Sequence, residues 1–169
     1  MGLKMTEKQK NALGKLLAAI PEECRNAYRE VAEYTITLGY IPTIKGAHDS
    51  YADFSKSKVK KTLLKIDTDP HFPPRLAMKF FATHSYSALF QQAVEARLAQ
   101  FTKFGYGTGC GSCGKCDGTH GYTYTYPDGK QVFLCGRELL DLPSFSADNV
   151  SEVKEALRRQ DELFVKCIS

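Results

Sequence analysis

Apolar residues recur at helical spacing in four stretches of the chain. In residues 6–20, Leu13, Leu16, Leu17 and Ile20 fall on one face. Thr6 and Gln9 stand at the start with the spacing of a capping box, in which the two residues satisfy each other's free backbone N–H groups. Pro21 stops that helix and suits the first position of the next, where its missing N–H costs nothing. The second helix, residues 21–38, places Cys24, Tyr28, Val31, Tyr34, Thr35 and Leu38 on one stripe, and Gly39 ends it. Residues 85–103 keep Tyr86, Leu89, Phe90, Ala93, Val94, Arg97, Leu98 and Phe101 at helical spacing, and this helix is expected to cover a sheet. A last helix over 147–165, capped by Ser146, turns Val150, Val153, Leu157 and Phe164 inward.

Between these helices the period drops to two. Residues 62–67 place Leu64 and Ile66 on one face, and residues 75–82 place Leu76, Met78 and Phe80 opposite Ala77, Lys79 and Phe81. These two strands are expected to pair antiparallel across a wide Asp- and Pro-rich connection that contains His71. Residues 51–55 form a short strand. The rest of 40–58 reads as turn, because Pro42, Gly46, Asp49 and Ser50 are turn formers. Residues 121–126 and 130–134 flank Pro127-Asp128-Gly129, a hairpin signal, with Tyr122, Tyr124 and Tyr126 sharing one strand face. Residues 139–145, with Pro143, read as a connector. The pattern predicts an α+β fold: a small antiparallel sheet covered by helices, with an inserted cysteine-bearing hairpin.

Composition changes this picture little. A chain of 169 residues with 43% hydrophobic and 25% charged residues suits a soluble globular domain, alone or with a small module. No apolar run reaches the roughly 20 residues that span a bilayer. The first residues are broken by charge and spaced like a helix, so they do not read as a signal peptide. Gly2 and Thr6 match the bare spacing of a myristoylation signal, but Thr6 is better used as a helix cap. A reducing cytosol is therefore the expected compartment, where clustered cysteines hold metal more often than they form disulfides. The net charge of +4 permits nucleic-acid or acidic partners without requiring them.

Four of the six cysteines crowd into residues 105–137: Cys110, Cys113, Cys116 and Cys135. Cys110 and Cys113 have the spacing at which two thiolates reach one ion across a tight turn, and Gly114 suits that turn. Cys135-Gly136-Arg137 repeats the Cys-Gly-basic pattern at the end of the hairpin, and Cys116 supplies a fourth thiolate. Four thiolates leave no open coordination position, so the expected role is structural rather than catalytic. His120 is an alternative to Cys116 as fourth ligand. A Cys-x-x-Cys-x-x-Cys triplet with a remote fourth cysteine also suits a four-iron cluster, although no proline follows any of these cysteines. Cys24 reads as a small buried side chain and Cys167 as a free thiol without a role. His48, His71 and His84 read as surface or capping residues.

Residues 109–137 resemble zinc-ribbon and zinc-knuckle modules. The resemblance implies a bound zinc ion held by Cys110, Cys113, Cys116 and Cys135. The usual ribbon carries two separate Cys-x-x-Cys pairs, whereas here three cysteines cluster and one stands alone.

The remaining motifs are weaker. Lys56, Lys58, Lys60, Lys61 and Lys65 form the densest basic run, with Tyr51 and Phe54 as nearby stacking groups. It is either a contact for nucleic acid or protein, or a solvated strand edge that blocks unwanted pairing. Gly105-Tyr-Gly-Thr-Gly lacks the Lys-Ser/Thr of a phosphate loop. There is no nucleophile elbow, no His-Glu-x-x-His and no convincing acid pair, so no catalytic constellation is identified. The chain divides into an α+β body (1–104), a four-cysteine module (105–137) and a C-terminal helix that packs back on the body (138–169). The leading expectation is a zinc-binding accessory or binding protein. The alternatives are an iron–sulfur or thiol redox protein, and a small-molecule sensor with a pocket between sheet and helices.

Overall fold

The structure is a computed structural model that describes residues 5–103 and 120–168, without the side chains of 101–103. Within these residues the fold is α+β. Helix α1 (Glu7–Ala18) starts at the expected capping box: Gln9 N donates to Thr6 Oγ1 at 3.3 Å, and Thr6 N donates to Gln9 Oε1 at 2.8 Å. Helix α2 (Glu22–Thr37) follows directly and closes at Gly39, whose φ of +92° is cheap only without a Cβ. Strands β1 (Ile41–Lys45), β2 (Tyr51–Lys56), β3 (Lys61–Asp67) and β4 (Arg75–Met78) then form a sheet, antiparallel throughout. Helix α3 (Ala88–Lys103) precedes the cysteine-rich stretch. The hairpin β5 (Gly121–Thr125) and β6 (Gln131–Cys135) comes next. A two-residue strand β7 (Leu140–Asp141) completes the sheet in the order β1-β2-β3-β4-β7, and α4 (Val150–Lys166) ends the chain.

The register sorts side chains onto two unlike faces. Pro42, Phe54, Leu64 and Met78 align across the sheet, as do Ile44, Ala52, Ile66 and Leu76. These residues join the leucines of α1 and the inward residues of α2 and α4 in one core. The opposite face carries charge: Lys45 pairs with Asp53, and Asp67 accepts from Arg75 at 2.8 Å with Lys65 at 3.5 Å. Burial alone would raise the Asp67 carboxyl, but the backbone N–H of Asp69, Arg75 and Lys65 outweigh it and hold the carboxyl below its ordinary value.

The sheet departs from the pattern-based expectation at three places. Strand β1 forms where the turn formers Pro42 and Gly46 predict turn. Its Pro42 is tolerated because β1 is an edge strand, where a missing N–H breaks no ladder on the open side. Strand β7 lies within the stretch read as a connector and is too short to carry a period. Strand β4 stops pairing at Met78, earlier than the alternation over 75–82 suggested. A register irregularity in the β2–β3 pairing leaves Leu63 without a partner between Leu64 and Thr62. Leu63 is fully buried, and its carbonyl accepts from Lys79 N at 3.0 Å. The chain then turns, with Thr83 N donating to Phe80 O, so α3 begins at Ala88 rather than near residue 85.

The hairpin forms as its turn residues predict, with Gly129 at φ +84°. It does not stand apart from the body. Tyr122 is fully buried, its ring centroid 4.8 Å from that of Phe80, and its hydroxyl donates to Glu138 O at 2.8 Å. Phe80 also meets Phe90 of α3 at 4.6 Å. The tyrosine stripe is thus a packing surface: a two-stranded hairpin gains its stability from the aromatic core of its neighbours.

Candidate functional site

The root of the hairpin, the end of β4 and the last turn of α4 converge. Cys135 closes β6 and pairs in register with Gly121. One residue further on, Gly136 N donates to His120 O at 3.0 Å. A Cβ on Gly136 would stand 2.7 Å from that carbonyl oxygen and 2.8 Å from the Phe81 ring, so only glycine permits this approach. The glycine of the Cys-Gly pair is therefore a geometric requirement of the hairpin root.

Lys79 braces the same turn from the β4 side. Its Nζ donates to Gly136 O and to Arg137 O, each at 2.8 Å. The residue is only 8% exposed. Burial, and then the like charge of Lys61, push its pKa down to about 8 from an ordinary 10.5, against the pull of Cys135 and Glu138. No carboxylate among the described residues pairs with it. The nearby Glu138 is engaged by Arg97 at 2.5 Å. The sequence signal for Lys79 was a lone lysine inside the apolar run Leu76–Phe81, and the alternation placed it on a face without revealing what that face meets.

The end of α4 supplies the third wall. Cys167 Sγ lies 3.8 Å from His120 Nε2, and the His120 ring lies tilted over Phe81 at 6.2 Å. Together with the β2–β3 turn these elements line an open cavity of about 390 Å³. Its polar lining comes from Lys61, Lys79, Arg137, His120, Cys135 and Cys167. Val59, Phe81, Leu163, Phe164 and Ile168 form its apolar part. No Asp or Glu is among its described lining residues.

Of the four expected metal ligands, Cys135 is at the hairpin root as a half-buried free thiol, and Cys110, Cys113 and Cys116 lie outside the described residues. The glycine-rich stretch from Gly105 lies outside them as well. Among the described residues no group of three or more Cys, His, Asp or Glu is placed to hold a metal ion. His120, the alternative ligand, shares the cavity with Cys135. Cys167 was read as a thiol without a role, and the fold brings it to the same cavity through the return of α4. Cys24 remains on α2, half-buried, its thiol donating to Pro21 O at 3.5 Å and pushed up by burial. His48, His71 and His84 are exposed and dispersed.

The basic run separates into members with different work. Lys56 is an internal group: it pairs with Asp161 of α4 at 2.7 Å, and the same carboxylate oxygen accepts from the Tyr40 hydroxyl at 2.9 Å. Phe54 is fully buried and offers no stacking surface. Lys65 sits over the Tyr51 ring at 4.2 Å. Lys58, Lys60 and Lys61 are exposed at the β2–β3 turn, with Lys60 at φ +51°. Three lysines at one turn form a much smaller basic surface than the run suggested. No described helix is long and apolar enough to cross a membrane.

Comparison of the chain with protein-family models, with curated proteins and with solved structures finds no match.

Proposed function

We propose that this chain is a small-molecule-binding protein whose ligand cavity is bordered by a structural zinc centre. Cys110, Cys113, Cys116 and Cys135 would hold the ion, with His120 as the alternative to Cys116. The observation that carries the reading is the position of Cys135: it caps the hairpin root and lines the cavity at once. Cys116 precedes His120 by four residues, which reach at most about 14 Å. The His120 carbonyl is itself bonded to the residue after Cys135. The sequence spacing thus permits a second thiol within about 14 Å of His120. A zinc ion bound by four thiolates supplies folding energy to a segment poor in apolar residues. The lysine cluster supports nucleic-acid binding less well, since Lys56 is consumed by Asp161 and Phe54 is inside the core.

Elemental analysis and a visible spectrum of protein purified without added metal test the reading. One zinc per chain and a colourless protein are expected. Iron with labile sulfide and a brown colour would replace zinc with a cluster. A chain that folds with neither metal removes the centre altogether. Ligand choice is tested separately: Cys116→Ser should lower zinc stoichiometry and His120→Ala should leave it, and the reverse pattern would make His120 the fourth ligand.

A further inference from the structure

We propose that the cavity between the hairpin root, the end of β4 and the C-terminal turn of α4 binds a small amphipathic anion, an acidic oxygen head group on an apolar body. This rests on the reading of the chain as a binding protein: a zinc ion with four thiolates would bring a net charge of minus two to one wall of the cavity, and the three cations Lys61, Lys79 and Arg137 exceed it.

Three observations converge on that ligand class. The first is a buried cation with no carboxylate within hydrogen-bond distance among the described residues. Lys79 is almost wholly removed from water, yet its two protein acceptors are neutral carbonyl oxygens. An ammonium has three donors, so one remains for a ligand. Burying a cation without a counter-charge is unfavourable, and an anion arriving in the cavity would offset that cost. The second is the sign of the lining: Lys61 and Arg137 add positive charge beside Lys79, and the described lining contains no carboxylate. A cleft of one sign with low-dielectric walls concentrates counter-ions. The third is the apolar wall, in which Phe81, Leu163 and Phe164 face the same space. A free inorganic anion would leave that wall uncovered, whereas a ligand with a hydrocarbon or aromatic body would cover it. A volume of about 390 Å³ lies in the range of small-ligand pockets. Ile168, half exposed at the rim, would close over the apolar end.

The test uses the full chain as purified, with four eight-carbon probes: octanoate, octyl phosphate, octanol and octylamine. Binding is followed by calorimetry and by chemical-shift changes at Lys79, His120 and Phe164. At least one of the two anions should bind ten times or more tightly than both octanol and octylamine, and the tighter anion identifies the carboxylate or phosphate source. Lys79→Met should reduce anion binding at least tenfold. Because Lys79 also braces the hairpin, a second variant at the exposed rim, Ile168→Glu, should reduce it several-fold with folding unchanged. Equal binding of octanol and octanoate would overturn the proposal, as would no binding of either anion to folded protein. If the only effect of Lys79→Met is weaker zinc retention and neither anion binds, Lys79 serves the thiolates and the ligand site falls while the metal centre stands. Anion binding by protein that carries no metal would leave this site standing and remove the zinc centre.

Discussion

Two buried lysines, Lys56 and Lys79, show how alike side chains can be put to unlike uses. Both leave the sheet and lose most of their water. Lys56 and its partner Asp161 have side-chain exposures of 17% and 13%, and their contact ties β2 to α4. The Tyr40 hydroxyl shares the same carboxylate oxygen, and burial followed by the Asp161 charge holds that phenol well above its ordinary value. This group is complete: each charge has its opposite within hydrogen-bond distance. Lys79 has no opposite charge within hydrogen-bond distance among the described residues, only carbonyl oxygens, and it faces a cavity. A satisfied buried ion pair holds a fold together. Lys79, which lacks such a partner among the described residues, is the group on which the proposed anion site depends.

The contrast can be broken most forcefully at Asp161. Replacing it with Ala strands Lys56 and Tyr40 together, and urea unfolding should show a loss of about 3 kcal/mol. Adding Lys56→Met should restore a large part of that loss, because an apolar stem of similar shape needs no counter-ion. If Asp161→Ala costs less than about 0.5 kcal/mol, the cluster is not the structural member of the pair. Lys79→Met should be milder, near 1 kcal/mol in the same assay, since the lost carbonyl bonds are offset by the relief of an unpaired buried charge. A loss from Lys79→Met as large as that from Asp161→Ala would erase the distinction.

Asp67 extends the comparison to pH. Its folded pKa is lowered, so it contributes stability above the unfolded value of roughly 4, and that stability is lost as pH falls through the folded value. Thermal unfolding midpoints of the parent chain should therefore drop on acidification below about pH 4. The drop should be shallower in Asp67→Asn, and identical acid profiles would remove Asp67 from the set of working pairs. The smallest effect is expected on the outer face of α4, where the half-exposed Arg158 bridges Glu155 and Glu162. Screening by water should leave Arg158→Ala within the error of an unfolding measurement.

Much of the fold was legible in the sequence where local rules apply. Thr6 with Gln9, Gly39 and Asp128-Gly129 each constrain one turn of backbone, and each appears where its chemistry requires, whereas Pro21, expected to begin α2, stands one place before it. The leucines of α1 and the Val31 stripe of α2 report their burial through period alone. The misses have a common cause. Strand β1 contains Pro42, which local rules penalise and an open edge excuses. Strand β7 is stabilised by pairing with Ala77 and Met78, residues more than sixty positions earlier in the chain. Neither signal exists within a short window.

The candidate site divides along the same line. The sequence by itself placed Cys135 at the end of a hairpin, Gly136 beside it and a cluster of thiols before it, because ligand spacing and turn chemistry are local. It also determined the α+β class, because helical and strand periods alternate along the chain. Only the tertiary structure brought His120, Lys79 and Cys167 to Cys135. Lys79 arrives through an irregularity at Leu63 and the early end of β4, and Cys167 through the return of α4 across the body. Residues from the β2–β3 turn, the end of β4, the hairpin root and the end of α4 make the cavity, and its charge is a sum over all of them. The cost of a buried cation depends on which surfaces exclude water, and that is set by the packing of the whole fold.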